Sequence, residues 1–140
     1  MEITANALQT VEANQNVLFT DTAVSGSCSI IHRDGSGLVT LRALPNNQCR
    51  ARFRVTFGGN IEVPTGGTLG PISLAIAVNG EPVGATIMIS TPAAVEELNN
   101  VFSSIFLDVS IGCCSQISVK NISSQSIGVQ NANLIVERVA

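Results

Sequence analysis

The chain has 140 residues, a length that suits one domain with a core of its own. Its net charge of −3 argues against a general nucleic-acid binder, which needs a basic surface. No apolar run reaches the roughly 18 residues of a membrane span, and the first residues lack the basic start and apolar stretch of a secretory signal. We therefore expect no membrane insertion and no signal peptide.

The surface carries unusually little charge. Apolar residues make up 45% of the chain and charged residues 12%, about half of what globular domains usually carry. Because a lightly charged surface favours association, we expect copies of the chain to cover part of it.

Short strands with regular turn signals dominate the chain, and this pattern predicts an all-β sandwich or barrel. The predicted strands cover residues 17–20, 27–32, 38–42, 49–57, 61–63, 72–78, 85–90, 101–109, 116–121, 126–129 and 133–140. Turns are predicted at 45–47 and at Asn79-Gly80. For residues 91–98 a single helical turn and a loop both stay open. Residues 1–12 are the one candidate for an independent segment.

The clearest alternation lies at residues 49–57. The apolar side chains of Ala51, Phe53, Val55 and Phe57 share one face of the predicted strand. Three arginines, Arg50, Arg52 and Arg54, share the other. They either bind an anionic sugar or phosphate or pair with acids of neighbouring strands or subunits, such as Glu62, Glu81 or Asp108. Pairing is favoured, because that face offers a sugar no aromatic partner. The glycines that follow, Gly58 and Gly59, are expected to end the strand.

The last predicted strand, 133–140, runs to the final residue of the sequence. Leu134 and Val136 face one way and Ile135 the other. Because strand ends fray unless a sheet holds them, we expect this strand to be docked and the N-terminus to be the free end.

Catalytic and metal-binding patterns are missing from the sequence. His32, the only histidine, is expected to lie solvated at a hairpin tip, so a serine or cysteine nucleophile has no credible base. The four cysteines, Cys28, Cys49, Cys113 and Cys114, lack the paired spacing of zinc ligands. They are interpreted either as small buried side chains or as a Cys28–Cys49 bridge or an intersubunit disulfide. We predict no enzyme activity and no cofactor.

Two stretches resemble the tumour necrosis factor and complement globular-head superfamily of trimeric jelly rolls, above all its bacterial and phage versions, which include the C-terminal domains of spore-surface collagen-like glycoproteins. They are Ile72-Ser73-Leu74-Ala75-Ile76-Ala77-Val78-Asn79-Gly80-Glu81-Pro82-Val83 and Ala132-Asn133-Leu134-Ile135-Val136-Glu137-Arg138-Val139-Ala140. The resemblance covers residues 13–140. The sequence departs from the superfamily in having no Gly-X-Y collagen stalk and few aromatic residues.

The resemblance implies a ten-stranded antiparallel jelly-roll sandwich that packs as a trimer, with the last strand central in the inner sheet. The residues expected at the trimer contact or in the core are Leu74, Ile76, Val78, Leu134, Ile135 and Val136. Residues 1–12 then become an N-terminal arm or connector in which Ile3, Leu8 and Val11 dock on a neighbouring subunit as an added strand.

Two functional hypotheses follow. The first is a self-assembling structural subunit of a particle or fibre, such as a phage head-decoration or fibre protein on the virion surface, or a spore-appendage subunit on a spore or cell surface. Its partners would be copies of itself and a capsid, fibre or spore-surface protein. The alternative is a receptor- or glycan-binding adhesin module that uses exposed loops at 64–68 or 79–83.

Overall fold

The computed structural model describes residues 1–45 and 49–140. Twelve strands and one 3₁₀ turn, Gly84–Thr86, make up its regular structure. The strands are β1 (Glu2–Ala5), β2 (Gln9–Val11), β3 (Asp21–Val24), β4 (Ile30–His32), β5 (Val39–Arg42), β6 (Arg50–Glu62), β7 (Ile72–Val78), β8 (Glu81–Pro82), β9 (Met88–Ser90), β10 (Asn99–Ser110), β11 (Cys114–Asn121) and β12 (Ile127–Arg138).

The strands form two antiparallel sheets of six strands each. Sheet A has the order β10-β6-β12-β1-β3, with β2 also paired to β12, and sheet B has the order β4-β5-β11-β7-β8, with β9 also paired to β7. The predicted all-β jelly-roll sandwich is therefore confirmed. The expected central position of the last strand is also found, since β12 lies between β6 and β1.

The core lies between the sheets and uses the predicted alternation of β6. Ala51, Phe53, Val55 and Phe57 are completely buried, and the Phe57 ring meets the Phe19 ring edge-on, with centroids 6.4 Å apart. Full burial of a valine or phenylalanine side chain stabilises a fold by about 1.5–3 kcal/mol. The alternating sequence of β6 thus divides the strand into a core face and an outward face.

Gly58 and Gly59 do not end the strand as expected, because β6 continues through them to Glu62. Gly58 pairs with Phe102 on one side and Asn133 on the other, so the neighbouring strands hold this stretch extended. A side chain on Gly59 would approach the Phe57 ring to 3.2 Å and the Ala132 Cα to 3.5 Å. Glycine at this position therefore allows the backbone of β12 to pass closely.

The two strands predicted at 126–129 and 133–140 are one strand, β12, interrupted by a bulge. Gln130 pairs with Asn60 and Asn133 with Gly58, so β12 carries one more residue than β6 between these points. Asn131 has the left-handed φ of 55° that such a bulge accommodates, and asparagine tolerates it. The sequence break between the two predicted strands is this local kink.

The N-terminal segment is not a free arm in this structure, which corrects the division at residue 12. Met1 donates its terminal amine to the Val136 carbonyl at 2.7 Å, and β1 pairs with both β12 and β3 of the same chain. Ile3 and Val11 are buried in the core, whereas Leu8 is 53% exposed. Because Ile3 lies opposite Leu134, the first strand and the last are neighbours in sheet A.

Two smaller predictions differ from the structure, and the alternative left open at residues 91–98 is decided. Residues 17–20 form no strand, although their backbone bonds to the Val119 carbonyl and their Val17 and Phe19 side chains are buried. Residues 91–98 form a loop without a helical turn, and the predicted strand 85–90 begins within the 3₁₀ turn. The Asn79-Gly80 turn is found, with φ of 51° and 86°. Two residues of the turn predicted at 45–47, 46 and 47, lie outside the described residues.

The burial pattern of β12 gives a stability prediction. Leu134 is 1% exposed in the core, whereas Leu69 in the β6–β7 loop is 49% exposed. Leu134→Ala should lower the free energy of unfolding by about 2–5 kcal/mol, because it removes buried contacts and leaves a cavity. The matched substitution Leu69→Ala should cost less than about 1 kcal/mol. Urea denaturation at one protein concentration measures both, and equal losses would contradict the placement of Leu134.

Candidate functional site

The outward face of sheet A combines charged and aromatic side chains on three adjacent strands. On β10, β6 and β12 the residues that do not point into the core point away from the sandwich, and the pairing of the strands sets them in rows. We call this surface the sheet A face. Its members are Arg50, Arg52, Arg54, Thr56 and Gly58 on β6, Phe102, Ser104, Phe106 and Asp108 on β10, and Asn133, Ile135 and Glu137 on β12.

Asp108 holds two of the three arginines. The Arg52 guanidinium donates two hydrogen bonds to it, Nε to Oδ1 at 2.8 Å and Nη2 to Oδ2 at 3.0 Å, and Arg50 Nε lies 3.1 Å from Oδ2. The hydrogen bond from Arg52 lowers the pKa of Asp108, with the charges of Arg52 and Arg50 acting in the same direction. The same hydrogen bond raises the pKa of Arg52. Both groups are therefore charged across the neutral range.

Arg54 is held by the strand on the other side of β6. Its Nε donates to Glu137 Oε1 at 2.8 Å, and its guanidinium carbon lies 6.0 Å from the centre of the Phe106 ring. This distance allows a cation–π interaction, worth about 0.5–1 kcal/mol at an exposed site. The Arg54 side chain thus connects β10 to β12 across β6.

The arginine row therefore pairs with acids of its own chain, as the favoured interpretation expected for neighbouring strands. Asp108 was one of the three acids named from the sequence, while Glu62 and Glu81 form no ion pair among the residues described. Glu137 was missed. It can be placed beside Arg54 only when the extra residue of the β12 bulge is counted, and nothing in the sequence fixes that count.

The apolar part of the sheet A face is open to solvent. Phe102 is 65% exposed, Phe106 58% and Ile135 39%. The Thr56 hydroxyl on β6 and the Ser104 hydroxyl on β10 lie 2.9 Å apart and form a hydrogen bond with each other. Gly58, which pairs with Phe102, has nothing within 4 Å of where a Cβ would stand, so the space beside the ring is open to solvent. Two large aromatic side chains exposed on one face form an apolar patch of the kind that marks an interaction surface.

Most residues expected at the trimer contact or in the core lie in the core of this chain. Leu74, Ile76, Leu134 and Val136 are buried, and Val78 packs half-buried against them. Ile135 is the one member of that group on the sheet A face. Phe102 and Phe106 were not selected from the sequence, and the expectation that the arginine face has no aromatic partner is wrong, because β10 brings both rings to that face.

His32 is not the solvated turn residue that the sequence predicted. Its side chain is completely buried, its Nε2 lies 2.9 Å from the Ser36 carbonyl oxygen, and its ring meets Phe19 edge-on. Its Nδ1 has no hydrogen-bond partner and lies 3.8 Å from Asp34 Oδ1. Ser36 presents its backbone to the imidazole, so the pair does not form a nucleophile and base.

The structure supports neither buried cysteine side chains nor a Cys28–Cys49 bridge. All four are exposed, so they are not small core side chains, and no disulfide joins Cys28 to Cys49. The intersubunit disulfide stays a prediction.

Within residues 1–45 and 49–140, no three histidine, cysteine or acidic side chains stand close enough to bind a metal ion together. None of the helical segments in this part of the chain has the length and apolar character to span a membrane.

Comparison with known proteins identifies the fold. No described sequence family and no curated protein matches the chain. Among solved structures, the chain is similar to the globular domain of a zebrafish complement 1qA protein, with 13% identity, 96% of this chain and 93% of that chain covered, and a TM-score of 0.64. It is also similar to Eiger TNF from S. frugiperda, with 12% identity, coverage of 100% and 92%, and a TM-score of 0.67. The chain thus has the TNF/C1q-like jelly-roll fold.

The ion pairs of the sheet A face predict a specific titration behaviour. Asp108 should titrate below the usual range of an aspartate, and Arg52→Gln should move its midpoint upward. Arg54→Gln is the matched control, because Arg54 pairs with Glu137 and should leave Asp108 unchanged. Carboxyl-detected NMR titration measures each midpoint. Equal shifts in the two variants would contradict the assignment of Arg52 as the partner.

The sign of the effect on stability follows from the lowered pKa. Since Asp108 binds its proton less tightly in the folded chain than in the unfolded chain, ionised Asp108 stabilises the fold above the unfolded-state pKa. That contribution is lost as the pH falls through the folded-state pKa.

Proposed function

We propose that this protein is a non-enzymatic structural subunit that self-assembles as a homotrimer and forms part of the surface of a particle or fibre. The observation that carries the proposal is the exposed aromatic pair on the sheet A face, Phe102 and Phe106, beside Ile135. Exposed apolar surface of this kind is stabilised when another copy covers it. The low charge of the whole chain supports the same conclusion.

The charges of the sheet A face favour its burial between copies. An unpaired charge that is removed from water strongly destabilises an interface, whereas a hydrogen-bonded pair costs much less. Arg52 and Arg54 already bond to Asp108 and Glu137 within the chain. A copy that packs on Phe102 and Phe106 would therefore meet a face whose charges are satisfied.

The chemistry of the described residues supports a structural role rather than catalysis. His32 is the only histidine, and it lies buried with no nucleophile bonded to it. We place the subunit on a virion, as a head-decoration or fibre protein, with a spore or cell surface as the alternative setting. The N-terminal segment takes no part as an arm, because β1 completes sheet A of its own chain.

The runner-up, a receptor- or glycan-binding module, is less well supported. It would use the cleft of about 460 Å³ beside loop 64–68, where Gln125 holds Thr68 by two hydrogen bonds of 2.9 and 2.7 Å. The residues that line it are Thr68, Leu69, Gly70, Pro71, Ser124 and Gln125. None of these offers an aromatic ring on which a sugar could stack, so this cleft gives the glycan alternative little support.

An exposure-matched pair of variants tests the proposal. Phe102 on the sheet A face and Ile89 on β9 of sheet B are both 65% exposed. Phe102→Asp should convert a trimer to a folded monomer of 14.5 kDa, because it places a charge in the contact. Ile89→Asp should leave the trimer intact. Light scattering coupled to size-exclusion chromatography measures the mass, and circular dichroism verifies that both variants are folded.

Three results would overturn the proposal or move it to another surface. A monomeric wild type would reject the trimer. Retention of the trimer in Phe102→Asp and its loss in Ile89→Asp would move the contact from sheet A to sheet B. Specific binding on a glycan array that survives Phe102→Asp would favour the adhesin alternative.

A further inference from the structure

Every cysteine of this chain lies on its surface. Cys28, Cys49, Cys113 and Cys114 are all exposed and carry free thiols. Free cysteines usually rank among the most buried residues, because the thiol packs as a small apolar group and reacts when it is accessible. Packing in the core therefore does not explain why this small domain has four accessible thiols.

Two of the thiols follow the turn between β10 and β11. Ala43 donates its amide to the Cys113 carbonyl at 3.1 Å and accepts from Gly112 at 3.0 Å. Cys114 starts β11 and pairs with Arg42 at the end of β5. Both cysteines thus lie at the end of the sandwich where β5 finishes.

The other two lie at the same end. Arg42 donates its amide to the carbonyl of Ser29, the residue after Cys28, at 2.7 Å. The Cys49 carbonyl accepts from the Ile111 amide, in the β10–β11 turn, at 3.3 Å. The backbone around residues 42–43 and the β10–β11 turn therefore connects all four positions, and we call this surface the cysteine end.

The neighbouring pair cannot react with itself without distortion. A disulfide usually requires Cα atoms about 4.4–6.8 Å apart, whereas consecutive residues have Cα atoms about 3.8 Å apart. A disulfide at Cys113 or Cys114 therefore needs a partner elsewhere. Cys113 comes just before β11 and Cys114 begins it, so the pair offers two separate thiols at this end of the sandwich.

We infer that the cysteine end is a covalent junction, at which disulfides join copies of this chain under oxidising conditions. The partner is a second copy, because it brings the same exposed thiols to the contact. The junction does not depend on the proposed trimer, which would form on the sheet A face. In a trimer, the same bonds would link one assembly to the next.

The chemistry requires a small-molecule disulfide as the oxidant. A cysteine thiolate attacks this disulfide, forms a mixed disulfide and releases one small thiolate. A thiolate of the second chain then attacks the protein sulfur of the mixed disulfide and releases the other small thiolate. Two protein thiols are oxidised, one small disulfide is reduced to two thiols, and the protons of the protein thiols are transferred to them.

The test is native oxidation of the full chain with oxidised glutathione, followed by alkylation and electrophoresis without reductant. We expect a ladder of covalent dimers and larger species, which dithiothreitol returns to one band at 14.5 kDa. A variant with all four cysteines replaced by serine should give no ladder. Monomers that have lost hydrogens to intrachain bonds, or that carry only glutathione, would overturn the junction, and intact mass spectrometry identifies both.

A position-matched control separates a junction from random collision. Four variants each keep one natural cysteine, so each can form at most a covalent dimer. The control carries Ser124→Cys as its single cysteine, at an exposed position beyond the far end of β11. At least one natural single-cysteine variant should dimerise several-fold faster than the control. Equal rates for all five would mean that exposed thiols react wherever they stand, which overturns the inference.

Discussion

The pairing of β12 with β6 at the centre of sheet A determines where the other elements stand. The bulge at Asn131 sets this register, and Gly59 leaves room for it. Because side chains alternate along a strand, a slip of one residue would turn Leu134 and Val136 to solvent and Ile135 to the core. The pairing therefore fixes the core, the outward face and the partner of Arg54 at the same time.

The same register explains how the sheet A face can be charged and still suited to contact. Arg52 and Arg54 follow each other on one side of β6, but their acids come from opposite neighbours, Asp108 on β10 and Glu137 on β12. β10 and β12 thus each supply an acid that neutralises an arginine of β6. The aromatic side chains of β10 are then the main apolar area of this surface that remains exposed to water. The proposed assembly rests on them for that reason.

The sequence predicted the local pattern well and the long-range pairing poorly. Alternation identified the core positions of β6 and the opposite faces of Leu134 and Ile135, because a strand imposes a period of two regardless of its neighbours. Glu137 beside Arg54 and the strand continuing through Gly58 escaped prediction, because both depend on a partner distant in sequence. The resemblance supplied the jelly-roll topology, which periodicity alone could not.

The prediction of a free N-terminal arm failed for the same reason. The weak alternation of this segment indicated a strand, but only the pairing of Ile3 with Leu134 shows which sheet it joins. Likewise, the spacing of the cysteines gave no sign that Cys28 and Cys114 share one end of the sandwich. That proximity follows from the arrangement of β5, β11 and the loop before β4.

Pairing of the first strand with the last has a consequence for how the protein is made. β1 leaves the ribosome long before β12, yet it contacts β12 and β3 in the finished sheet. Contacts of such long sequence separation slow folding, because the chain must close a large loop before they form. Until synthesis reaches β12, β6 lacks one of its two neighbours, and the backbone groups along that edge remain unpaired. An unpaired strand edge can pair with another chain, so the stage before β12 is made is the one at which nascent chains are most exposed to aggregation.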